Sequence, residues 1–222
     1  MENQHTEEEL KNIAKQLSCP EGQHGIKTGE MMNANNIGMT YSAIDALDLQ
    51  FNVYVLEIGP GNGSHVEYFL SKEKDLVYIG IDISETMIAE ATKINQKLID
   101  NSLVYFHQVD GKTIPLITGQ FDKIFTVNTV YFWENPLEYL SEIKRVLSNN
   151  GLFVLCFADK QFMQKLPFTS YGFKLYNLED VEDLLRAAGF TIKNTIKKTE
   201  QIKSNAGTVV ERPYYVVVAA NM

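Results

Sequence analysis

Several features that mark particular protein classes are scarce or missing in this sequence. Only two cysteines are present, Cys19 and Cys156, and they lie far apart, so neither a disulfide framework nor a metal cluster is predicted. No run of about 18 apolar residues occurs, and the N-terminus lacks the basic and apolar segments of a secretory signal. We therefore expect no membrane span, no secretion and a reducing cytoplasm as the location.

Positively charged residues are also fewer than negatively charged ones. The 222 residues include 20 Lys and Arg against 28 Asp and Glu, which gives a net charge of −8 at pH 7. Non-specific affinity for nucleic acid comes mainly from Lys and Arg that neutralise phosphates, so the composition argues against a nucleic-acid partner. It favours a protein that acts on small molecules or protein partners, as a monomer or homodimer.

From Val53 onward, short apolar runs alternate with amphipathic segments. This pattern predicts an α/β fold with a parallel sheet and helices on both faces. The last two apolar runs have no helix between them, which predicts an antiparallel hairpin at the sheet edge. The predicted strands are 53–58, 76–81, 103–109, 121–127, 152–157, 190–198 and 213–220.

Start and stop signals separate the helices of this region. Ser64 followed by Glu67 predicts a capping box, and Ser84 predicts the start of the next helix. Pro136 suits the first turn of a later helix, for which we predict an end at Gly151 and a buried stripe that includes Leu137.

The first fifty residues predict a separate helical unit. A polar helix is expected over 6–17, a glycine-rich turn over 19–29 and a second helix over 33–49. We therefore divide the chain into an N-terminal helical lid, residues 1–50, and a cofactor-binding domain, residues 51–222.

The clearest chemical signal is the glycine-rich segment LEIGPGNG at 56–63, between a predicted strand and a predicted helix. Gly59, Gly61 and Gly63 allow a tight turn and a close approach of the backbone to a ligand, and the helix N-terminus adds free N–H groups. The alternative is a turn that only connects the two elements.

Asp82 is the second signal, because it ends the next strand about 20 residues further on. An acidic residue at this place can accept hydrogen bonds from the ribose hydroxyls of an adenosine cofactor. The alternative is that Asp82 and Ser84 only cap the following helix, and we favour the ribose role.

The glycine spacing helps to distinguish two cofactor classes. Dinucleotide folds use G-x-G-x-x-G, whereas this chain has E-x-G-x-G-x-G with Ser64 at the third glycine position. Glu57 would be a poor neighbour for a pyrophosphate but a good one for a cofactor with an ammonium group and a sulfonium cation. An NAD-dependent oxidoreductase therefore stays as the second candidate.

Taken together, these segments resemble the class I S-adenosylmethionine-dependent methyltransferases. LEIGPGNG, YIGIDIS (78–84), QVDG (108–111) and FDKIFTVNTVYFW (121–133) are similar to the family's first four motifs, and IKRVLSNNGLFVLCF (143–157) to its fifth. The resemblance covers roughly 53–220 and is strongest to the group that includes ubiquinone and menaquinone biosynthesis enzymes. It implies a Rossmann-like, seven-stranded, mostly parallel sheet with an antiparallel C-terminal hairpin, and S-adenosyl-L-methionine as cofactor.

The resemblance also implies roles for individual residues. Asp82 would hold the ribose, Asp110 with the Gly111 backbone would contact the adenine amino edge, and Glu57 would steady the amino end of the cofactor. Asn128 and its neighbour Thr129 would line the methionine region. The full set of expected cofactor-binding residues is Glu57, Gly59, Pro60, Gly61, Asp82, Ile83, Met87, Asp110, Gly111, Asn128 and Thr129.

Candidates for acceptor binding and proton transfer are fewer. Met32 in the expected lid, and Tyr131 and Trp133 after the fourth strand, are expected to contact the acceptor, because thioethers and aromatic faces suit an adaptable apolar surface. His24 and Tyr131 are weak candidates for a catalytic role, and no metal ligand set is predicted.

The sequence thus predicts in-line methyl transfer from S-adenosylmethionine to a small-molecule acceptor. Besides the oxidoreductase, a non-catalytic regulatory protein that keeps the cofactor pocket is an alternative.

Overall fold

A computed structural model describes residues 5–203 and 209–222, which form one seven-stranded sheet with helices packed against it. The strand order is β3-β2-β1-β4-β5-β7-β6, with β1 to β5 parallel and the β6–β7 hairpin antiparallel. The strands are Tyr54–Ile58 (β1), Val77–Asp82 (β2), Val104–Gln108 (β3), Phe121–Val127 (β4), Leu147–Ala158 (β5), Thr191–Lys203 (β6) and Val209–Ala220 (β7).

Within residues 5–203 and 209–222, eight α-helices connect or precede these strands. Two of them stand before β1, and the others follow β1, β2, β4 and β5, with short 3₁₀ turns at Val130–Phe132 and Pro167–Ser170. The helices are Glu7–Ser18 (α1), Gly22–Ala46 (α2), Val66–Leu70 (α3), Glu85–Ile94 (α4), Gln96–Asp100 (α5), Pro136–Val146 (α6), Lys160–Met163 (α7) and Leu178–Ala187 (α8).

The central strands are buried on both faces, as their nearly continuous apolar sequences predict. Val55, Leu56, Ile124, Phe125 and Val154 are fully buried in the core. The order of strands reverses between β1 and β4, and ligands of open α/β sheets bind at such a reversal, outside the carboxyl ends of the strands. Among the described residues, no helix combines the length and the apolar character that crossing a membrane requires.

The expected glycine-rich turn over 19–29 is wrong, because α2 begins at Gly22 and runs unbroken to Ala46. A Cβ on Gly25 would lie 2.7 Å from the carbonyl carbon of Pro20, and one on Gly29 would lie 2.6 Å from Sδ of Met87. These glycines therefore do not break the helix; they let it pack closely against the preceding loop and α4.

Three local predictions near the sheet are also wrong. Helix α3 begins at Val66, and the Ser64 N–H donates to Asn62 instead of the chain forming a capping box. Helix α6 ends at Val146, since the following residues already join β5 opposite β4. Leu137 on α6 is 47% exposed, so it does not belong to the buried stripe.

Candidate functional site

A deep cleft lies at the carboxyl ends of β1, β2 and β4. Its empty volume is about 1070 Å³, a figure that includes the open solvent at its mouth. The glycine-rich loop after β1 forms its floor, and residues of α1, α2 and the loop between them cover it. Sequence-distant segments therefore meet at this one place.

The glycine-rich loop adopts backbone conformations that only glycine takes without strain. Gly59, Gly61 and Gly63 have φ values of 75°, 57° and 64°. The Gly59 N–H donates to the Ile81 carbonyl over 2.8 Å, and a Cβ at Gly59 would lie 2.4 Å from Cγ2 of Thr129. The loop is thus held close to both neighbouring strands.

Asp82 closes the other side of the floor. Its Oδ2 accepts from the Gly61 N–H over 3.2 Å and its Oδ1 from the Ser84 N–H over 2.9 Å. Burial raises the pKa of Asp82 to about 6, although these backbone donors oppose the shift. The carboxylate therefore lines the cleft at neutral pH, and each oxygen keeps a lone pair for further donors.

Glu57 lies deeper and is held by two side chains. Its Oε2 accepts a hydrogen bond from the Tyr78 hydroxyl and lies 2.6 Å from Nε2 of His65. Glu57 is only 2% exposed, yet it and His65 both line the cleft. Its second oxygen, Oε1, has no hydrogen-bond partner within residues 5–203 and 209–222, so it is available to a donor in the cleft.

The end of β4 contributes a strained turn. Asn128 has a φ of 58°, and its Oδ1 accepts from the Tyr131 hydroxyl over 3.0 Å and from the Ala158 N–H over 3.3 Å. The Thr129 hydroxyl lies 2.5 Å from that of Thr126. Asn128 and Thr129 both line the cleft next to the glycine-rich loop.

Side chains from β2, α4 and the loop after β3 line the opposite wall. Ile83 is 38% exposed, Met87 is fully buried, and both face the cleft together with Gly111. A Cβ on Gly111 would lie 2.9 Å from Cγ2 of Ile83, so glycine keeps this wall narrow. Asp110 is exposed and lies outside the lining, where its carboxylate accepts from the N–H groups of Lys112 and Thr113.

The cover comes from α2 and from aromatic residues after β4. Helix α2 presents Met32, Asn36 and Thr40 to the cleft at helical spacing. Trp133 packs edge-to-face against Tyr139 with ring centroids 5.2 Å apart, and both line the cleft. This end therefore combines an apolar aromatic wall with uncharged polar groups.

Both residues suggested for a catalytic role lie outside the cleft lining. His24 is exposed on α2. Tyr131 is 2% exposed, and its hydroxyl accepts from the Ala158 N–H over 2.7 Å, so it joins the ends of β4 and β5. Burial raises the pKa of Tyr131 far above its usual value, which disfavours its phenolate form.

Sequence reasoning missed several lining residues. His65 carries no motif that ties it to Glu57, and neither does Tyr78, which lies behind the lining and reaches Glu57 through the parallel packing of β1 and β2. Asn36 and Thr40 could have been found from their helical spacing to Met32, had the helix been predicted to begin before 33.

The donor set of the cleft fits S-adenosylmethionine. Among the lining residues that the structure describes there is no Lys or Arg, whereas Glu57 and Asp82 supply carboxylates. A sulfonium and an ammonium group gain from nearby carboxylates, and a pyrophosphate would be repelled by them.

Comparison with known proteins agrees with this geometry. Residues 56–155 match the model of a family described as "Methyltransferase domain". The uncharacterized methyltransferase YdaC of Bacillus subtilis is 29% identical over 55% of this chain and 66% of its own length. A tRNA U34 carboxymethyltransferase of Vibrio cholerae is 29% identical over 47% of this chain and 32% of its own length.

The chain thus spans less than two thirds of these relatives. A solved SAM-dependent methyltransferase from Aquifex aeolicus superimposes with a TM-score of 0.71 over 89% of this chain and 98% of that one, at 20% identity. That likeness shows the fold.

Proposed function

We propose that this chain, which belongs to the class I S-adenosylmethionine-dependent methyltransferases, transfers a methyl group to a small organic acceptor. The observation that carries the proposal is the cleft at the β1–β4 reversal, which joins two carboxylates to an adjoining aromatic and amide-lined space. The carboxylates suit the cofactor, and the aromatic and amide side chains suit a small organic acceptor beside it.

The bound cofactor supplies an electrophilic methyl carbon on a sulfonium, and in-line displacement by the acceptor leaves S-adenosylhomocysteine. The chain's residues then bind and orient the reactants. Asp82 accepts hydrogen bonds from the ribose hydroxyls, and Ile83 with Met87 packs against the adenine. Gly59, Pro60 and Gly61 form the floor beneath the ribose and methionine parts.

Glu57 is proposed to accept from the cofactor's ammonium group through Oε1. His65 and Tyr78 hold its other oxygen, so the carboxylate does not have to reorganise on binding. Asn128 and Thr129 line the region of the sulfonium. Alignment and exclusion of water are then the main catalytic contributions.

Residues 1–50 are proposed to act as the lid that excludes this water. Leu17, Ser18 and Pro20 line the cleft from one side, and Met32 from another. The Ser84 hydroxyl donates to the Pro20 carbonyl over 2.5 Å, and the Gly22 N–H donates to the Thr86 hydroxyl over 3.1 Å. The loop between α1 and α2 is thereby attached to the start of α4.

A small acceptor is favoured over RNA for an electrostatic reason. RNA-binding surfaces use Lys and Arg to neutralise phosphates, and the described lining of this cleft contains neither. The tRNA U34 carboxymethyltransferase matches only 47% of this chain. Transfer RNA is therefore included as an acceptor in the test but is not proposed as the substrate.

Two measurements test the proposal. Isothermal titration should detect binding of S-adenosylmethionine and none of NAD; tight NAD binding with no response to S-adenosylmethionine would leave the oxidoreductase as the better reading. Formation of S-adenosylhomocysteine should then be followed with a panel of small metabolites and with bulk transfer RNA. Turnover with transfer RNA alone would refute the small acceptor, and binding without any turnover would favour a regulatory protein.

A further inference from the structure

A buried arginine, Arg212, lies behind the cleft wall and contacts a residue that lines the cleft. Arg212 on β7 is 6% exposed, and its Nε and Nη2 donate to Oε1 of Glu200 on β6 over 3.1 and 2.6 Å. The remaining donors point to α2, where Nη2 binds the Asn35 carbonyl over 2.6 Å and Nη1 binds Oδ1 of Asn36 over 2.8 Å. This cluster joins the terminal hairpin to the helix that covers the cleft.

The contact with Arg212 fixes which way the amide of Asn36 is turned. A guanidinium can only donate hydrogen bonds, so the atom that faces it must be the amide oxygen. The Nδ2 group is therefore the part of the amide left for other partners, and it has no acceptor among residues 5–203 and 209–222. Since Asn36 lines the cleft, its N–H donors are available to a ligand there.

Asn128, at the end of β4, is held differently. Its amide oxygen accepts from the Ala158 N–H and the Tyr131 hydroxyl, and its Nδ2 donates to Sδ of Met39 on α2 over 3.5 Å. Met39 is fully buried and does not line the cleft. Of these two lining amides, Asn36 is therefore the one whose Nδ2 has no partner among residues 5–203 and 209–222.

An indirect arrangement of this kind has an electrostatic advantage. An arginine inside the cleft would repel a sulfonium cation, whereas Arg212 is buried and paired with Glu200. Asn36 presents a donor to the cleft without presenting a positive charge. Phe132, Trp133 and Met32 supply apolar surface to the same cleft.

We propose that Asn36 is a specificity-determining residue that binds an uncharged carbonyl-type oxygen on an aromatic or similarly flat acceptor, and that Arg212 is the positioning residue that fixes its amide. This inference rests on the proposed function, because it concerns the acceptor of the same site. It adds an acceptor class: neutral, with a hydrogen-bond-accepting oxygen, in preference to an ammonium or an anion.

Three compounds with one skeleton probe this class. Benzamide carries a neutral carbonyl, benzoate an anion and benzylamine a cation, and their binding to the protein saturated with S-adenosylhomocysteine is measured by NMR titration. We expect benzamide to bind best and to shift the Asn36 side-chain amide signal. Tighter binding of benzylamine, equal binding of the three or no binding of any would overturn the proposal.

Asn36→Asp removes the N–H donors but keeps an oxygen for Arg212, so the helix stays attached. It should weaken benzamide binding about tenfold, the value of roughly one hydrogen bond. Asn35→Asp is the matched control: it adds the same charge at the neighbouring residue, which does not line the cleft and binds Arg212 only through its backbone. Equal losses in the two variants, or none in Asn36→Asp, would refute the role of Asn36.

Arg212→Lys keeps the charge near Glu200 but loses the planar fork of donors. It should shift the Asn36 amide signal and weaken benzamide binding several-fold, whereas a purely structural arginine would change the melting temperature alone. The affinity for S-adenosylhomocysteine, measured in every variant, separates the two proposals. Failure of the wild type to bind it defeats the proposed function, and retained binding without benzamide selectivity defeats only this inference.

Discussion

The two ends of the cleft are built in different ways. The end proposed for the cofactor consists of strand ends and the loops that follow them, with the glycine backbone, Asp82 and Glu57 fixed by the sheet. The end proposed for the acceptor is formed by α2 and by aromatic residues, with an amide oriented by Arg212 from the terminal hairpin. The difference teaches that the proposed cofactor site depends on backbone geometry close in sequence, whereas the proposed acceptor site depends on side chains that only tertiary packing brings together.

The largest effect is expected at the glycine-rich loop. Gly59→Ala places a side chain at a φ of 75° and a Cβ 2.4 Å from Cγ2 of Thr129. We expect the free energy of unfolding to fall by about 2 to 5 kcal/mol, the sum of a left-handed conformation and overpacking. Denaturant unfolding measures it. Gly119→Ala is the control, since it has a similar φ of 69° and nothing within 4 Å; equal losses would show that Thr129 plays no part.

Asp82→Ala is expected to act on binding. It removes an acceptor of two ribose hydroxyls and should weaken binding of S-adenosylmethionine by roughly 1.5 to 3 kcal/mol for each bond lost. Calorimetric titration gives the value. Asp110→Ala changes an exposed carboxylate outside the cleft lining. A larger loss of affinity in Asp110→Ala than in Asp82→Ala would contradict the ribose role of Asp82.

Tyr131→Phe tests whether this tyrosine is structural. The substitution removes the 2.7 Å partner of the buried Ala158 N–H, which keeps its 3.3 Å hydrogen bond to Oδ1 of Asn128, so the free energy of unfolding should fall by about 0.5 to 1.5 kcal/mol. The affinity for S-adenosylmethionine and the turnover at 25 °C should stay close to wild type. A large fall in turnover with unchanged stability would restore the hydroxyl as a catalytic group.

Acidification should weaken the binding of S-adenosylmethionine. With a pKa of about 6 in the free protein, Asp82 becomes protonated below that pH, and ribose hydroxyls bind its ionised form better. The dissociation constant for S-adenosylmethionine should be constant above about pH 7 and rise towards tenfold per pH unit below pH 6. Affinity measured from pH 5 to 8 tests this; a flat profile in the wild type, matching that of Asp82→Asn, would remove the link.

The smallest effect is expected at His24. It is exposed on α2 and outside the cleft lining, so His24→Ala should change stability by less than about 0.5 kcal/mol and leave turnover unaltered. A loss of turnover with intact cofactor binding would bring the lid histidine back as a candidate base.

The sheet, and the positions of the glycine-rich loop and Asp82 at its carboxyl edge, could be predicted from the sequence because their signals are local. Apolar runs mark the strands, and the glycines and Asp82 stand at fixed distances from strand ends. Asp110 shows what spacing does not report: its carboxylate accepts from the backbone of its own turn and lies outside the cleft lining, and its role at the adenine stays a prediction. A motif fixes a residue's place along the chain, not the direction of its side chain.

The N-terminal region shows why other predictions failed. The glycines at 22, 25 and 29 predicted a turn, because glycine is a poor helix former. In the structure Gly25 and Gly29 lie where a Cβ would collide with Pro20 and Met87. Close packing against the loop at Pro20 and against α4 accommodates these glycines within a continuous helix. No local sequence pattern indicates such contacts.

The sequence by itself determined the α/β fold and the places of the glycine-rich loop and Asp82 at the ends of β1 and β2, since these depend on apolar runs and on spacing along the chain. Only the tertiary structure decided the partners of Glu57 and the orientation of Asn36. These depend on contacts between residues as far apart as Asn36 and Arg212, whose side chains meet because α2 packs across the sheet onto the terminal hairpin.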